Sequence, residues 1–257
     1  MGLEFGNLPL VEASVRLYFD KDLPLTLQRG VDAWGRLEDR FPSFLDLDQM
    51  EPGLSGRSPT TFAVVPGSPE FSHFGFRFAG GKTGLDLCLQ QNLLVLKWNK
   101  RFDPTALPYP HFEAIKENLW WAVKVLREAL PLPEISALNM RYANFIPTVE
   151  ESGSKVLTDY FSDAVAVQLL DKATVLHAVD LSWRENDQID RRFSLSRGNS
   201  NDGTTTVQGF LLATVAGAQV NSGVSAEVRL VEVHDFLQTF FLGLISSRAK
   251  KEWGFVE

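Results

Sequence analysis

The order of elements in this chain repeats, and that repetition constrains the fold more than any single motif does. Before Pro131 the sequence reads as strand, helix, three-strand meander and long helix, and the same series recurs after it. The expected fold is α+β, with two β-α-β-β-β-α halves at 1–131 and 132–257, antiparallel meanders covered by long helices, and an internal duplication behind the repeat. A length of 257 residues suits a single unit assembled from both halves.

From Leu10 to Phe19 the pattern alternates. Val11, Ala13, Val15, Leu17 and Phe19 point one way and Glu12, Ser14, Arg16 and Tyr18 the other, which predicts a half-buried strand. Asp22 and Pro24 signal a helix start, and Leu27, Val31, Trp34 and Phe41 form its expected buried stripe until Pro42. A loop over 46–59 precedes strands at 60–65, 71–79, 85–90 and 93–98. Beyond Pro108 and Pro110, an amphipathic helix carries Phe112, Ile115, Leu119, Val123, Leu126 and Leu130 on one stripe.

The second half opens on a strand at 135–146 and a short helical segment at 155–161. Strands at 174–183, 189–197 and 205–218 follow, the last two joined by a turn from Gly198 to Gly203. A final helix from Ala226 to Lys251 should bury Val233, Leu237, Phe240, Phe241 and Leu244. Aligning the opening strands of the halves sets Arg16 against Arg141.

Composition narrows the partners. The chain is 44% hydrophobic and 22% charged, which is globular and not disordered. A formal charge of −7 argues against a protein built to neutralise phosphates, so nucleic acid is a minority partner. Cys88 is the one cysteine, which excludes an intramolecular disulfide and a multi-thiolate zinc site and fits a cytoplasmic setting. No apolar run reaches membrane-spanning length, no secretory signal is legible, and no membrane partner is expected.

Several short motifs suggest chemistry. Gly80-Gly81-Lys82-Thr83 resembles a phosphate-binding loop, but Phe76 stands where its first glycine belongs and a strand follows, so it reads as a turn. Phe74-Gly75-Phe76-Arg77-Phe78 resembles an RNA-stacking strand, yet Ser72 and His73 break the pattern and the rings read as core. His73, His111, His177 and His234 have no metal-ligand spacing, and neighbouring His234 and Asp235 should not share a helix face. Ser152 with Lys155 is too short a pattern to assign a nucleophile. No catalytic residue, cofactor or metal site is assigned.

The strand charges carry more weight. Arg16 and Arg141 must reach solvent, meet carboxylates or hold an anion. Glu12 shares a face with Arg16 and Asn139 one with Arg141; together with Asn144 these make up the candidate ligand site. A structural ion pair is the first reading of these residues, and ligand binding the second.

Pro9-Leu10-Val11-Glu12, Arg40-Phe41-Pro42, Met140-Arg141-Tyr142-Ala143-Asn144, His234 with Phe241, and Trp253-Gly254 span the chain. In these segments it resembles a sporadically distributed prokaryotic family of similar-sized proteins of unknown function, Arg-Tyr-x-Asn being the most specific element. The resemblance implies a full-length, single-unit prokaryotic protein and brings no activity, cofactor or catalytic residue. The family's scattered distribution implies horizontal transfer and suits a defence or toxin–antitoxin accessory.

The leading expectation is a non-catalytic binding or interaction module that takes a protein partner or self-associates. A small-molecule or nucleotide-binding protein, with an anion held between the halves at Arg16 and Arg141, is the alternative. A third reading is RNA binding through Phe74 to Phe78.

Overall fold

The computed structural model describes residues 9–46, 75–81, 83–100, 108–147, 158–162, 178–185, 189–201, 206–220 and 223–254. Helices and antiparallel strands mix, giving an α+β protein. In chain order the elements are β1 (Leu10–Phe19), α1 (Leu27–Leu37), β2 (Ser43–Asp46), β3 (Gly75–Gly80), β4 (Leu85–Gln90), β5 (Leu93–Asn99) and α2 (His111–Ala129). Then come β6 (Ile135–Pro147), β7 (Ala178–Glu185), β8 (Ile189–Asn201), β9 (Thr206–Gln219), α3 (Ala226–Leu244) and α4 (Ser247–Glu252). The strand expected at 60–65, His73, His177, Lys82, Ser152 and Lys155 lie outside the described residues. Among those described, no helix is long and apolar enough to cross a membrane.

The chain forms two compact units, whose boundaries fall inside β1 at Ser14/Val15 and inside β6 at Leu138/Asn139. In the unit that holds 15–98 and 107–138, the strand order is β2-β3-β4-β5-β1-β6. Register and period-two alternation set Phe76 and Phe78 beside Leu89 and Leu87, which in turn face Leu94 and Leu96. All six side chains are fully buried. Arg77 points to the other face with Cys88 and Asp86, and its guanidinium meets Asp86 Oδ2 at 3.1 Å.

Helix α1 departs from expectation in its start and in its buried face. Its N-cap is Thr26, whose hydroxyl accepts from Arg29 N at 3.3 Å, and not the Asp22-Pro24 stretch. Gly30, Ala33 and Leu37 are buried, while Leu27 is 51% and Val31 41% exposed. The cause is steric: a methyl added at Gly30 would sit 2.7 Å from the Phe76 ring, so only small helix residues fit over the sheet aromatics. Helix α2 buries the predicted stripe and packs along α1. Arg40 lies over the Trp121 ring at 4.6 Å and donates to Asn118 Oδ1 at 3.0 Å.

Strand β1 is not half-buried. Ser14, Arg16 and Tyr18 are buried along with Ala13, Val15 and Leu17, so from Ala13 onward both faces of the strand are covered. Strand β2 was missed, being four residues long and close to a proline.

In the other unit the order is β1-β6-β9-β8-β7. The β8–β9 ladder runs through Gly198↔Gly209 to Asn201↔Thr206, so the Gly- and Asn-rich stretch expected to turn is mostly strand. Composition alone cannot separate the two, because ladder pairing overrides local turn preference. The final helix is also two helices. Ile245 takes an extended conformation (φ −90°, ψ 148°) that ends α3, and the Ser246 hydroxyl, accepting from Ala249 N at 3.1 Å, caps α4. Phe193, Leu195, Leu212, Phe241 and Leu244 form the core here, with Phe240 packed partly buried beside it.

Candidate functional site

Antiparallel pairing builds the strand-charge cluster within one unit. Pro9 O accepts from Phe145 N at 2.8 Å, which brings the start of β1 beside the end of β6. Arg141 thereby meets Glu12: its Nη1 forms a short charge-assisted hydrogen bond to Glu12 Oε1. Ser14 Oγ donates to the same oxygen at 3.5 Å, the long limit for such a bond. The side chains are 23% and 12% exposed for Arg141 and Glu12. Neither charge is left bare, and Arg141 arrives at the surface already neutralised by its partner.

The other candidates are not part of this ion pair. Asn144 is 1% exposed and its Oδ1 has no hydrogen-bond partner among the described residues, and Asn139 is 7% exposed. Arg16 is 8% exposed and belongs to the other unit. The structure thus joins Glu12 to Arg141, where face sharing along one strand had suggested Glu12 with Arg16. Cross-strand neighbours lie nearer than residues four apart on one strand.

The short motifs resolve as architecture wherever they are described. Thr83 N and Gly84 N both donate to Gly80 O, at 2.7 and 2.9 Å, forming a turn before β4 with Gly84 at φ 65°. Phe76 and Phe78 are fully buried and present no ring face to a base. His111 is exposed at the start of α2, its ring 5.5 Å from Tyr109. His234 is 4% exposed, and its Nδ1 lies 3.1 Å from Asp235 Oδ1, so these neighbours do meet, the short carboxylate folding back along the helix surface. Among the described residues no three His, Cys, Asp or Glu side chains cluster as metal ligands.

One arrangement that sequence reading missed lies at the end of the chain. Trp253 stacks between Tyr160 and Phe241, at centroid distances of 5.6 and 6.1 Å. Tyr160 donates to Glu252 Oε1 at 3.1 Å, and Arg248 pairs with Asp159 at 2.8 Å. Terminal Trp-Gly was a visible signal; its partner at 160 was not, since nothing in sequence links positions that far apart. Burial, and then the bond to Glu252, raise the Tyr160 pKa above the usual phenol value. The neutral phenol is thus favoured in the folded state, and its contribution is complete below about pH 10 and lost as pH rises through the raised value. Thermal unfolding from pH 9 to 12 should show a loss in wild type that Tyr160→Phe lacks; parallel profiles would contradict it.

Two further features lie on helix exteriors in the unit that holds 15–98 and 107–138: exposed Leu27 and Val31 on α1, and a shallow cavity on α2 beside Trp120. Leu27 and Val31 were expected in the buried stripe of α1, so their exposure had no signal in sequence; Trp120 stood outside the stripe expected for α2. No protein-family model matches this chain, and no curated protein sequence matches it.

Proposed function

We propose that the protein is a non-catalytic interaction module that binds another protein or a second copy of itself. The observation that carries this reading is the pair Leu27 and Val31, large apolar side chains one helical turn apart and 51% and 41% exposed on α1. Residues with chemical potential support it by being engaged internally: Arg141 with Glu12 and Arg77 with Asp86. A guanidinium already paired with a carboxylate is a poor anion receptor, and buried Phe76 and Phe78 give no support to an RNA platform.

The strand orders also support an internal duplication as the origin of the scaffold. Outward from each opening strand they run β1-β5-β4-β3 and β6-β9-β8-β7, the same connectivity over four strands, with β2 added at the outer edge of the first. A role as an accessory in prokaryotic defence or toxin–antitoxin systems rests on the resemblance around Met140 to Asn144.

The test is affinity capture from the native host with wild type and with Leu27→Asp/Val31→Asp. Both side chains are exposed, so the variant should melt within about 0.5 kcal/mol of wild type. A stoichiometric partner, or a second copy, should be recovered with wild type and lost with the variant. Recovery of neither by wild type, or equal recovery by both forms, would count against the proposal.

A further inference from the structure

Helix α2 carries a charge imbalance that its own packing does not resolve. Each of its carboxylates has a cation: Glu113 pairs with Lys116 at 2.6 Å, Glu117 with Arg40 at 3.2 Å and Glu128 with Arg36 at 3.6 Å. Lys124 and Arg127 are exposed and have no such partner among the described residues. They stand one turn apart, where like charges repel.

Trp120, Val123, Lys124, Arg127 and Glu128 line a shallow cavity of about 350 Å³ on this face. The floor is aromatic and aliphatic, and the rim carries Lys124 and Arg127 beside Glu128, whose carboxylate is paired with Arg36. The Trp120 indole N–H is shielded from solvent, so the face offers the ring and not its donor.

We infer that this α2 face docks an acidic segment of a partner protein. One carboxylate of that segment would lie between Lys124 and Arg127, its aliphatic stem against the Trp120 and Val123 side chains. The charge complementarity is local: the chain as a whole carries −7, so only a site with unpaired cations can attract an acidic strand against that background. A neutral apolar occupant would leave both cations unanswered. This inference rests on the interaction-module reading and gives that module a partner chemistry.

The indole resonances of the full chain provide the test, with the Trp120 signal assigned through Trp120→Phe. Acetylated hexaglutamate should move that signal, and the effect should weaken from low to high salt. Hexaglutamine should not move it. Lys124→Gln/Arg127→Gln, which leaves the fold intact by its melting curve, should weaken hexaglutamate binding by about tenfold or more, as expected for loss of charge-assisted hydrogen bonds.

An equal response to hexaglutamine, unchanged binding by the double variant, or tighter binding of hexauridylate at the same site would overturn the inference. If a host partner captured by wild type is retained by Lys124→Gln/Arg127→Gln, the acidic-segment inference falls while the module reading stands. If wild type captures none, the module reading itself falls.

Discussion

Phe76→Ala should destabilise the protein by about 3–5 kcal/mol, the usual cost of truncating a fully buried phenylalanine. The ring is 0% exposed and lies against the Gly30 backbone on α1 as well as its strand neighbours, so its removal opens a cavity where helix meets sheet. Gly30→Ala should also destabilise, by about 1–3 kcal/mol, because the added methyl overpacks the same contact. The two changes should not add. In the double variant the methyl enters space the ring has left, so the combined loss falls short of the sum. Urea denaturation of all four forms measures the coupling. A Phe76→Ala protein that melts like wild type would show the ring to be dispensable to the core.

Arg141→Ala should cost about 3 kcal/mol, because it leaves the Glu12 carboxylate, whose side chain is only 12% exposed, without its cation. Replacing both partners together, as Glu12→Gln/Arg141→Met, should cost less than Arg141→Ala alone, since no uncompensated charge then remains. Equilibrium unfolding decides it. If the double variant is as unstable as the sum of the single changes, the two residues are not coupled and the pair is not what holds them.

What could be read in sequence was what local periodicity encodes. The α2 stripe through Phe112, Ile115, Leu119, Val123 and Leu126 was legible because each residue repeats at helical spacing on a helix long enough to average out exceptions. Strand β4 was legible because Gly84 and the polar turn at 91–92 bracket it. The buried face of α1 was not, because Leu27 and Val31 satisfy the periodic pattern while Gly30 and Ala33 satisfy the space left by Phe76, and only the tertiary contact ranks them. The break between α3 and α4 was missed for a related reason: Ile245 and Ser246 lie within an otherwise continuous pattern, and the extended backbone there is held by Ser246 N donating to Tyr160 O at 3.0 Å.

The candidate site followed the same rule. That a strand arginine needs a compensating group was legible from the chemistry of Arg141 alone. Which group it meets was not, because the Glu12 contact depends on cross-strand register, which no pattern within β6 specifies. The cations on the α2 rim escaped notice because Lys124 and Arg127 look like ordinary solvated charges until the pairing of Glu113, Glu117 and Glu128 is known.

The central claim is that the strand charges hold the fold and the helix exteriors do the binding. Arg141→Lys tests it most directly, assayed side by side for melting temperature and for recovery of the host partner. The ammonium lacks the planar, delocalised guanidinium that meets Glu12, so a structural pair should be weakened and the protein should melt at a lower temperature. Partner recovery at a temperature where both forms are folded should equal that of wild type. An unchanged melting temperature together with loss of the partner, or of a bound anion, would contradict the account and place function at Arg141.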